Sequence, residues 1–293
     1  MEMIEDFDIN DLKKLYIPSL DSHKGQNGKL LVVAGSELFH APLLWTLKVA
    51  SRIVDMVFFS STEQNNQIAK KEFGDGIIVP RNKIEDYIDE ADCVLIGPGL
   101  PRLEGEEIGD DSTKGLTESL LKKYPSKKWV IDGGSLQTMN PELLTLLKNP
   151  ILTPHLGEFN KLFNFQFSIF NFQSNPNDQI IKTQEKVAEM ARKYGCVILL
   201  KGEKDIVCGW DESVKISGGN AGMTKGGTGD ILAGLVAALY CKNNAFLSAT
   251  AGSYINKRAG DSLFKRVGYY FNASDLANEI PRVMKELLFL QFL

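Results

Sequence analysis

Seven short apolar runs, separated by amphipathic stretches, constrain this chain more than any other feature of its sequence. They are KLLVVAG from Lys29, MVFFSS from Met56, GIIVP from Gly76, CVLIGPG from Cys93, WVIDGG from Trp129, PILTP from Pro150 and CVILLKG from Cys196. Near-continuous apolar runs of strand length, several rich in Val and Ile, suit strands buried on both faces, as in a parallel sheet covered by helices. Between them, residues 41–54, 114–124, 141–148 and 178–194 carry apolar positions at helical spacing. The alternation predicts a layered α/β fold: a three-layer sandwich with a mostly parallel central sheet and helices on both faces. IVCGW and SVKIS, on either side of Asp211 and Glu212, read as a hairpin, and three helices starting near Gly229, Ala245 and Ser274 close the chain. No internal repeat or linker is visible, so residues 1–293 read as one domain, with about 1–20 as an N-terminal extension.

With 43% hydrophobic and 24% charged residues in a length of 293, the chain can bury a sizeable core. A formal net charge of -4 and a pI of about 5.6 argue against an electrostatic nucleic-acid binder. The cysteines, Cys93, Cys196, Cys208 and Cys241, form no CxxC pair. Buried free thiols in a reducing, cytoplasmic compartment are therefore expected, rather than zinc or redox use. The N-terminus, MEMIEDFDIN, is acidic and has no signal-peptide apolar stretch. The longest apolar runs, such as CVILL and ILAGLVAALY, are too short to span a bilayer. The stretch from Phe163 to Asp178 alternates five phenylalanines with polar residues. It reads either as a surface loop tucking rings into the core or as a subunit contact.

The strongest chemical signal is GGNAGMTKGGTGDILAGLVAAL, residues 218–239. Glycine is dense and then stops, and an apolar helical pattern begins directly after Asp230. A glycine-rich loop entering a helix N-terminus presents free N–H groups and a favourable dipole to an anion. Gly226, Gly227 and Gly229 let a phosphate approach the backbone closely. Asp230 in the first turn is either a helix cap or a catalytic carboxylate. No segment matches the GxxxxGK[ST] phosphate loop, and GQNGKL near Gly25 lacks both spacing and hydroxyl. Gly227-Thr228-Gly229 follows a loop instead of a strand, which disfavours a dinucleotide-binding Rossmann unit.

Three further strand ends carry polar or glycine-marked turns. ILTPHLGEF, residues 151–159, presents His155 and Glu158 after a buried strand, where open α/β sheets place ligands. LLKGEKDIV, residues 199–207, ends a strand in Lys201-Gly202, and the lysine either reaches a phosphate or leaves the sheet for solvent. LIGPGL, residues 95–100, sets Gly97 and Gly99 around Pro98. Four such ends are best explained by one shared cleft.

Taken together, these segments resemble the ADP/ATP-dependent NAD(P)H-hydrate dehydratase family, the carbohydrate-kinase-like domain of the ribokinase-like superfamily. The similar stretches are HKGQNGKLLVVAGS (23–36), GPGL (97–100), VIDGGSL (130–136), LTPHLGEF (152–159), KGEKD (201–205) and GMTKGGTGDILAG (222–234). SATAGSYINKRAGD (248–261) and GYYFNASDLANEIPRVM (268–284) extend the likeness over nearly the whole chain.

The resemblance implies phosphorylation of the ring hydroxyl of the S-epimer of hydrated NADH or NADPH, followed by loss of phosphate to restore NADH or NADPH. It implies Asp230 as the base, with Gly227, Thr228 and Gly229 supplying N–H groups to the transferring phosphoryl group. Ala41, Gly99, His155 and Asp230 would contact the hydrated dinucleotide. Lys201, Gly202, Glu203, Lys204, Asp205 and Gly229 would hold ADP or ATP, with ADP the expected donor. By looser analogy Glu158 would help hold Mg2+ through water. The family also implies metabolite repair in the cytoplasm, a homotetramer, and a functional link to an NAD(P)H-hydrate epimerase. With only about 20 residues before His23, that epimerase is expected to be a separate protein. The alternative is a small-molecule kinase of the same superfamily, acting on a sugar, hydroxymethylpyrimidine or hydroxyethylthiazole.

Several positions depart from the family pattern. His40-Ala41-Pro42 with Trp45, Pro101 after GPGL, Lys225 before the GGTG, and Asp132-Gly133-Gly134 all differ from the usual residues.

Overall fold

A computed structural model describes residues 5–102, 112–165 and 176–290. Its centre is one sheet containing β1 (Glu5–Asp6), β2 (Lys29–Val33), β3 (Met56–Ser60), β4 (Ile77–Ile78) and β5 (Cys93–Ile96). The sheet continues with β6 (Lys128–Ile131), β7 (Ile151–Leu152), β8 (Val197–Leu200), β9 (Asp205–Cys208) and β10 (Ser213–Ile216). The strand order is β1-β10-β9-β8-β7-β6-β5-β2-β3-β4. Only β9 runs antiparallel to its neighbours, so the β9–β10 hairpin expected around Asp211 is present in a mostly parallel sheet.

Period-two alternation explains the double burial. Leu30 and Val32 face one apolar cluster, and Leu31 and Val33 face the other. The first cluster is covered by α1 (Ala41–Ala50), α8 (Thr228–Tyr240), α9 (Ala245–Val267) and α10 (Ala273–Lys285). The opposite side carries α3 (Ile84–Glu90), α4 (Thr113–Lys123), α5 (Gly133–Thr138), α6 (Leu156–Phe163) and α7 (Pro176–Tyr194). The polar α2 (Glu63–Glu72) links β3 and β4. Trp129 is fully buried, and its indole N–H is satisfied by the Tyr124 carbonyl at 2.9 Å.

The structure adjusts some expected elements. The helix expected over 41–54 ends at Ala50, and 141–148 forms a 3-10 turn over Pro141–Leu146. Pro42 occupies the first turn of α1, where its missing N–H has no intrahelical partner to lose. Most of the Phe-rich stretch lies outside the described residues. Of its rings, Phe163 packs on Phe159 and Tyr194, and Phe165 stacks on Phe159.

Topology fixes where a ligand can sit. From β2 the chain runs outward through β3 and β4, then returns to pair β5 against the other side of β2. Loops at such a reversal diverge and open a crevice at the carboxyl ends of the strands. The loop after β2 and the loop after β5 meet there, with Gly35 N–H donating to the Pro98 carbonyl at 2.8 Å.

Candidate active site

The strand-end loops are joined edge to edge. Gly134 N–H donates to the Gly97 carbonyl at 3.1 Å, Thr153 Oγ1 donates to Asp132 Oδ1 at 2.8 Å, and His155 pairs in parallel with Lys201. Three of the segments singled out in the sequence, at the ends of β5, β7 and β8, therefore share one rim with the end of β6. Gly99 adopts φ +67°, and a Cβ there would come within 2.9 Å of the Pro42 ring. That contact brings the start of α1, with Ala41, against the β5 loop. Ala41 and Trp45 line a groove of about 350 Å³ between α1 and the segment 72–75.

α8 begins at the glycine-rich loop. Its N-cap is Gly227, at φ +95°, and no side chain caps this end. Asp230 is thus not the cap; it stands in the first turn with its carboxylate left for other work. Gly227 is required twice over. Its φ lies in the left-handed region, and a Cβ would sit 2.4 Å from the Trp45 ring. The Thr228 hydroxyl is spent inside the loop, donating to the carbonyls of Met223 at 2.6 Å and Lys225 at 3.0 Å. The Thr228 amide makes a long bond to Lys225 at 3.4 Å, whereas among the described residues the amides of Gly227 and Gly229 make no backbone bond. Lys225 turns away from the anion site, to the Tyr269 carbonyl and over the Phe271 ring.

Lys201 does not simply leave the sheet for solvent but turns into the cleft beside two carboxylates. Its ammonium lies 3.0 Å from Asp132 Oδ1 and 3.8 Å from Glu158 Oε2. A Cβ on Gly229 would lie 3.5 Å from the same nitrogen, which puts it beside the mouth of α8. Burial opposes its charge, but Asp132, Glu158 and Asp230 together outweigh that and raise its pKa. The reciprocal effect falls on Asp230. Burial, then repulsion from Asp132 and Glu158, push its pKa up to about 7 against the pull of Lys201. Asp132 is the site residue that motif reading leaves without a role. Its signal is present in the sequence, as a carboxylate at the end of a buried strand.

His155 and Glu158 are the capping box of α6. His155 Nδ1 accepts from the amides of Gly157 at 3.0 Å and Glu158 at 3.2 Å, while Glu158 Oε2 accepts from the His155 amide at 2.9 Å. The histidine ring is half exposed, and the Glu158 side chain is buried beside Gln137 and Lys201. Among the described residues no group of three or more His, Cys, Asp or Glu side chains converges to hold a metal. The oxygens of Glu158 already have protein donors. This donor set suits a magnesium ion carried by nucleotide phosphates and reached through water, not a cage of protein ligands.

Beyond the carboxylates opens a cleft of about 810 Å³, lined among others by His155, Lys201, Gly202, Glu203, Asp205 and Gly229. Lys204 is exposed and is not part of that lining. The Asp205 carboxylate is turned inward, accepting from the Gly202 amide at 2.9 Å and the Ser253 hydroxyl at 2.7 Å. Asn256 also lines the cleft, and its Oδ1 is buried with no hydrogen-bond partner.

Comparison with known proteins identifies the family and the fold. A family model described as Carb_kinase, NAD(P)H-hydrate dehydratase, matches residues 30–282. A bifunctional NAD(P)H-hydrate repair enzyme Nnr from Methanocaldococcus jannaschii is 35% identical over 284 residues, covering 94% of this chain and 52% of that protein. The chain thus spans about half the length of that relative. An ADP-dependent (S)-NAD(P)H-hydrate dehydratase from Nitrosopumilus maritimus is 34% identical, covering 94% of this chain and 95% of that one. An ADP/ATP-dependent NAD(P)H-hydrate dehydratase from Bacillus subtilis, co-crystallised with ATP and Mg2+, superposes with a TM-score of 0.79 at 22% identity, covering 97% of this chain and 99% of that one. The crystal structure shares the ribokinase-like fold, and with a family model spanning most of its length the chain belongs to the NAD(P)H-hydrate dehydratase family.

Proposed function

We propose that this protein dehydrates the S-epimer of hydrated NADH and NADPH, with ADP or ATP as phosphoryl donor. One observation carries the reading: a carboxylate with a pKa near neutrality stands uncapped at the amide-lined mouth of α8, at the edge of a cleft large enough for a nucleotide. A base poised near the working pH is suited to take a proton from an alcohol.

In this mechanism the Asp230 carboxylate accepts the ring hydroxyl proton as that oxygen attacks the terminal phosphorus. The bond to the nucleotide leaving group breaks in the same displacement. The Gly227 and Gly229 amides, with the longer-bonded Thr228 amide, meet the charge on the transferring group, because phosphoryl transfer depends mainly on positioning and electrostatic stabilisation. The phosphate then departs from one ring carbon and a proton from its neighbour, leaving the restored double bond. Ala41, Gly99 and His155 are assigned to the dinucleotide, and the turn from Lys201 to Asp205 to the nucleotide. Lys201 keeps Asp132 and Glu158 partly neutralised beside the incoming phosphates. A magnesium ion would add charge neutralisation on those phosphates, reached from Glu158 through water.

ADP is the assigned donor, following the name of the similar Nitrosopumilus maritimus protein. The bifunctional relatives support a functional link to an epimerase that supplies the S form. Free cysteines at all four positions fit a cytoplasmic setting. A homotetramer belongs to the same reading, and light scattering on the purified protein tests it.

The decisive assay mixes the protein, Mg2+ and hydrated NADH with ADP or with ATP, and follows NADH absorbance. Growth of that absorbance is the expected result. No NADH with either nucleotide would sink the proposal, and a stable phosphorylated product in its place would indicate a small-molecule kinase.

A further inference from the structure

We infer that Lys257 is a positioning residue, which with Asp205 holds the turn between β8 and β9 in the shape that receives the nucleotide. The inference rests on the proposed nucleotide cleft and adds a residue to it. Lys257 lies on α9, is 6% exposed, and donates to the carbonyls of Gly202 at 3.1 Å and Glu203 at 3.0 Å. Its third partner is Asp205 Oδ1 at 3.3 Å. An ammonium has three N–H groups; two are committed to these carbonyls, and its charge is met by Asp205. Lys257 therefore lines the cleft with its charge and two of its donors already engaged by the turn.

The pair is costly to bury, and an apolar replacement of similar volume is often as stable or more so. Its presence points to a geometric task. Both carbonyls of the turn are tied to α9, so their lone pairs are engaged and do not stand against phosphate oxygens. Asp205 completes the tie through the Gly202 amide and through Ser253, one helical turn before Lys257 on the same face of α9. The pair is neutral as a whole, so its joint removal alters the turn without altering the net charge of the cleft.

That property supplies the test. Calorimetric ADP binding and melting temperature are measured for the wild type, Lys257→Met and the double variant Asp205→Asn/Lys257→Met. The single variant leaves Asp205 buried without its cation, so both its melting temperature and its ADP affinity should fall. In the double variant the unpaired charge is gone, and the side-chain carbonyl introduced by Asp205→Asn can still accept from the Gly202 amide. This variant should regain most of the melting temperature, yet bind ADP on the order of 10-fold more weakly because the turn is no longer preorganised. Its nucleotide KM should rise by the same factor, with a smaller change in kcat. A double variant that recovers wild-type ADP affinity along with its melting temperature overturns the inference. If the double variant does not fold, Ser253→Ala, which removes one tie to Asp205, should still weaken ADP binding several-fold; unchanged affinity there overturns it equally. Wild-type protein that binds no ADP would instead overturn the nucleotide reading itself.

Discussion

A partly buried lysine and a buried one flank the same turn, and they do different jobs. Lys257 meets one carboxylate and two carbonyls, a set that balances its charge and ties it to the turn. Lys201 faces Asp132 and Glu158, with Asp230 close enough to raise its pKa, so one cation stands against three carboxylates. Where charge balances, the lysine fixes a shape. Where it does not, burial first and then repulsion from the neighbouring carboxylates raise the pKa of the least constrained one. Asp132 is locked by Thr153 and Lys201, and Glu158 by the α6 capping box and Gln137. Asp230 has no comparable lock, and its pKa rises to about 7. The same residue type thus acts as scaffold on one side of the turn and as a pKa-setting group on the other.

The largest test of this contrast removes the carboxylate that absorbs the imbalance. Asp230→Asn keeps the fold and the cleft but cannot take a proton. Its kcat/KM should fall by roughly 10²–10⁴-fold, the usual contribution of a positioned base, while calorimetric ADP binding is retained. Wild-type turnover in this variant would mean that the unbalanced cluster is not the catalytic one.

Next in size is Lys201→Met, which deepens the imbalance instead of relieving it. Asp132 and Glu158 lose their cation, and breaking a buried pair typically costs about 3–5 kcal/mol. The pull that Lys201 exerts on Asp230 is also lost, so the acid limb of the kcat/KM profile should move above the wild-type position near pH 7. Urea melts and a pH–rate profile check the two halves. A profile that stays in place would show that Lys201 does not set the pKa of the base.

The contrast also shows what a sequence can and cannot reveal. The strands are readable because double burial demands apolar runs, and the glycine loop because only bare backbone suits that turn. The helix α2, EQNNQIAKKE, offers no apolar stripe, since its buried face is Asn65, Asn66 and Ala69, and both asparagines are engaged with the β3 loop around Ser61. The start of α6 is hidden in a different way. His155 and Glu158 read as loop residues because histidine is an unusual N-cap, although the structure gives them a capping role together and puts His155 in the cleft lining. Lys201 is ambiguous for a stronger reason. Its partner Asp132 lies 69 residues away, and spacing along the chain carries no trace of that contact until the sheet brings the two strand ends together.

The smallest effect is the most discriminating, because it reads the imbalance without substrate. The folded protein holds the Asp230 pKa at about 7, against an ordinary value of 3.8. Folding therefore favours the protonated carboxyl. Below pH 4 both states are protonated and the group contributes no penalty. As pH rises from there the unfolded chain ionises freely while the folded one resists, so stability is lost progressively until the folded carboxyl itself titrates through pH 7. The displacement corresponds to at most about 4 kcal/mol, and partial exposure of the group reduces this to roughly 1–2 kcal/mol. Asparagine cannot ionise, so Asp230→Asn should melt higher than wild type at pH 8, by roughly 2–5 °C for a chain of this size. The gap should close towards pH 4. The balanced Lys257–Asp205 pair makes the opposite case, because removing its lysine should destabilise the protein at pH 8. If Asp230→Asn shows no pH-dependent gain, the negative excess around Lys201 is relieved by solvent, and the two lysines differ less than their partners imply.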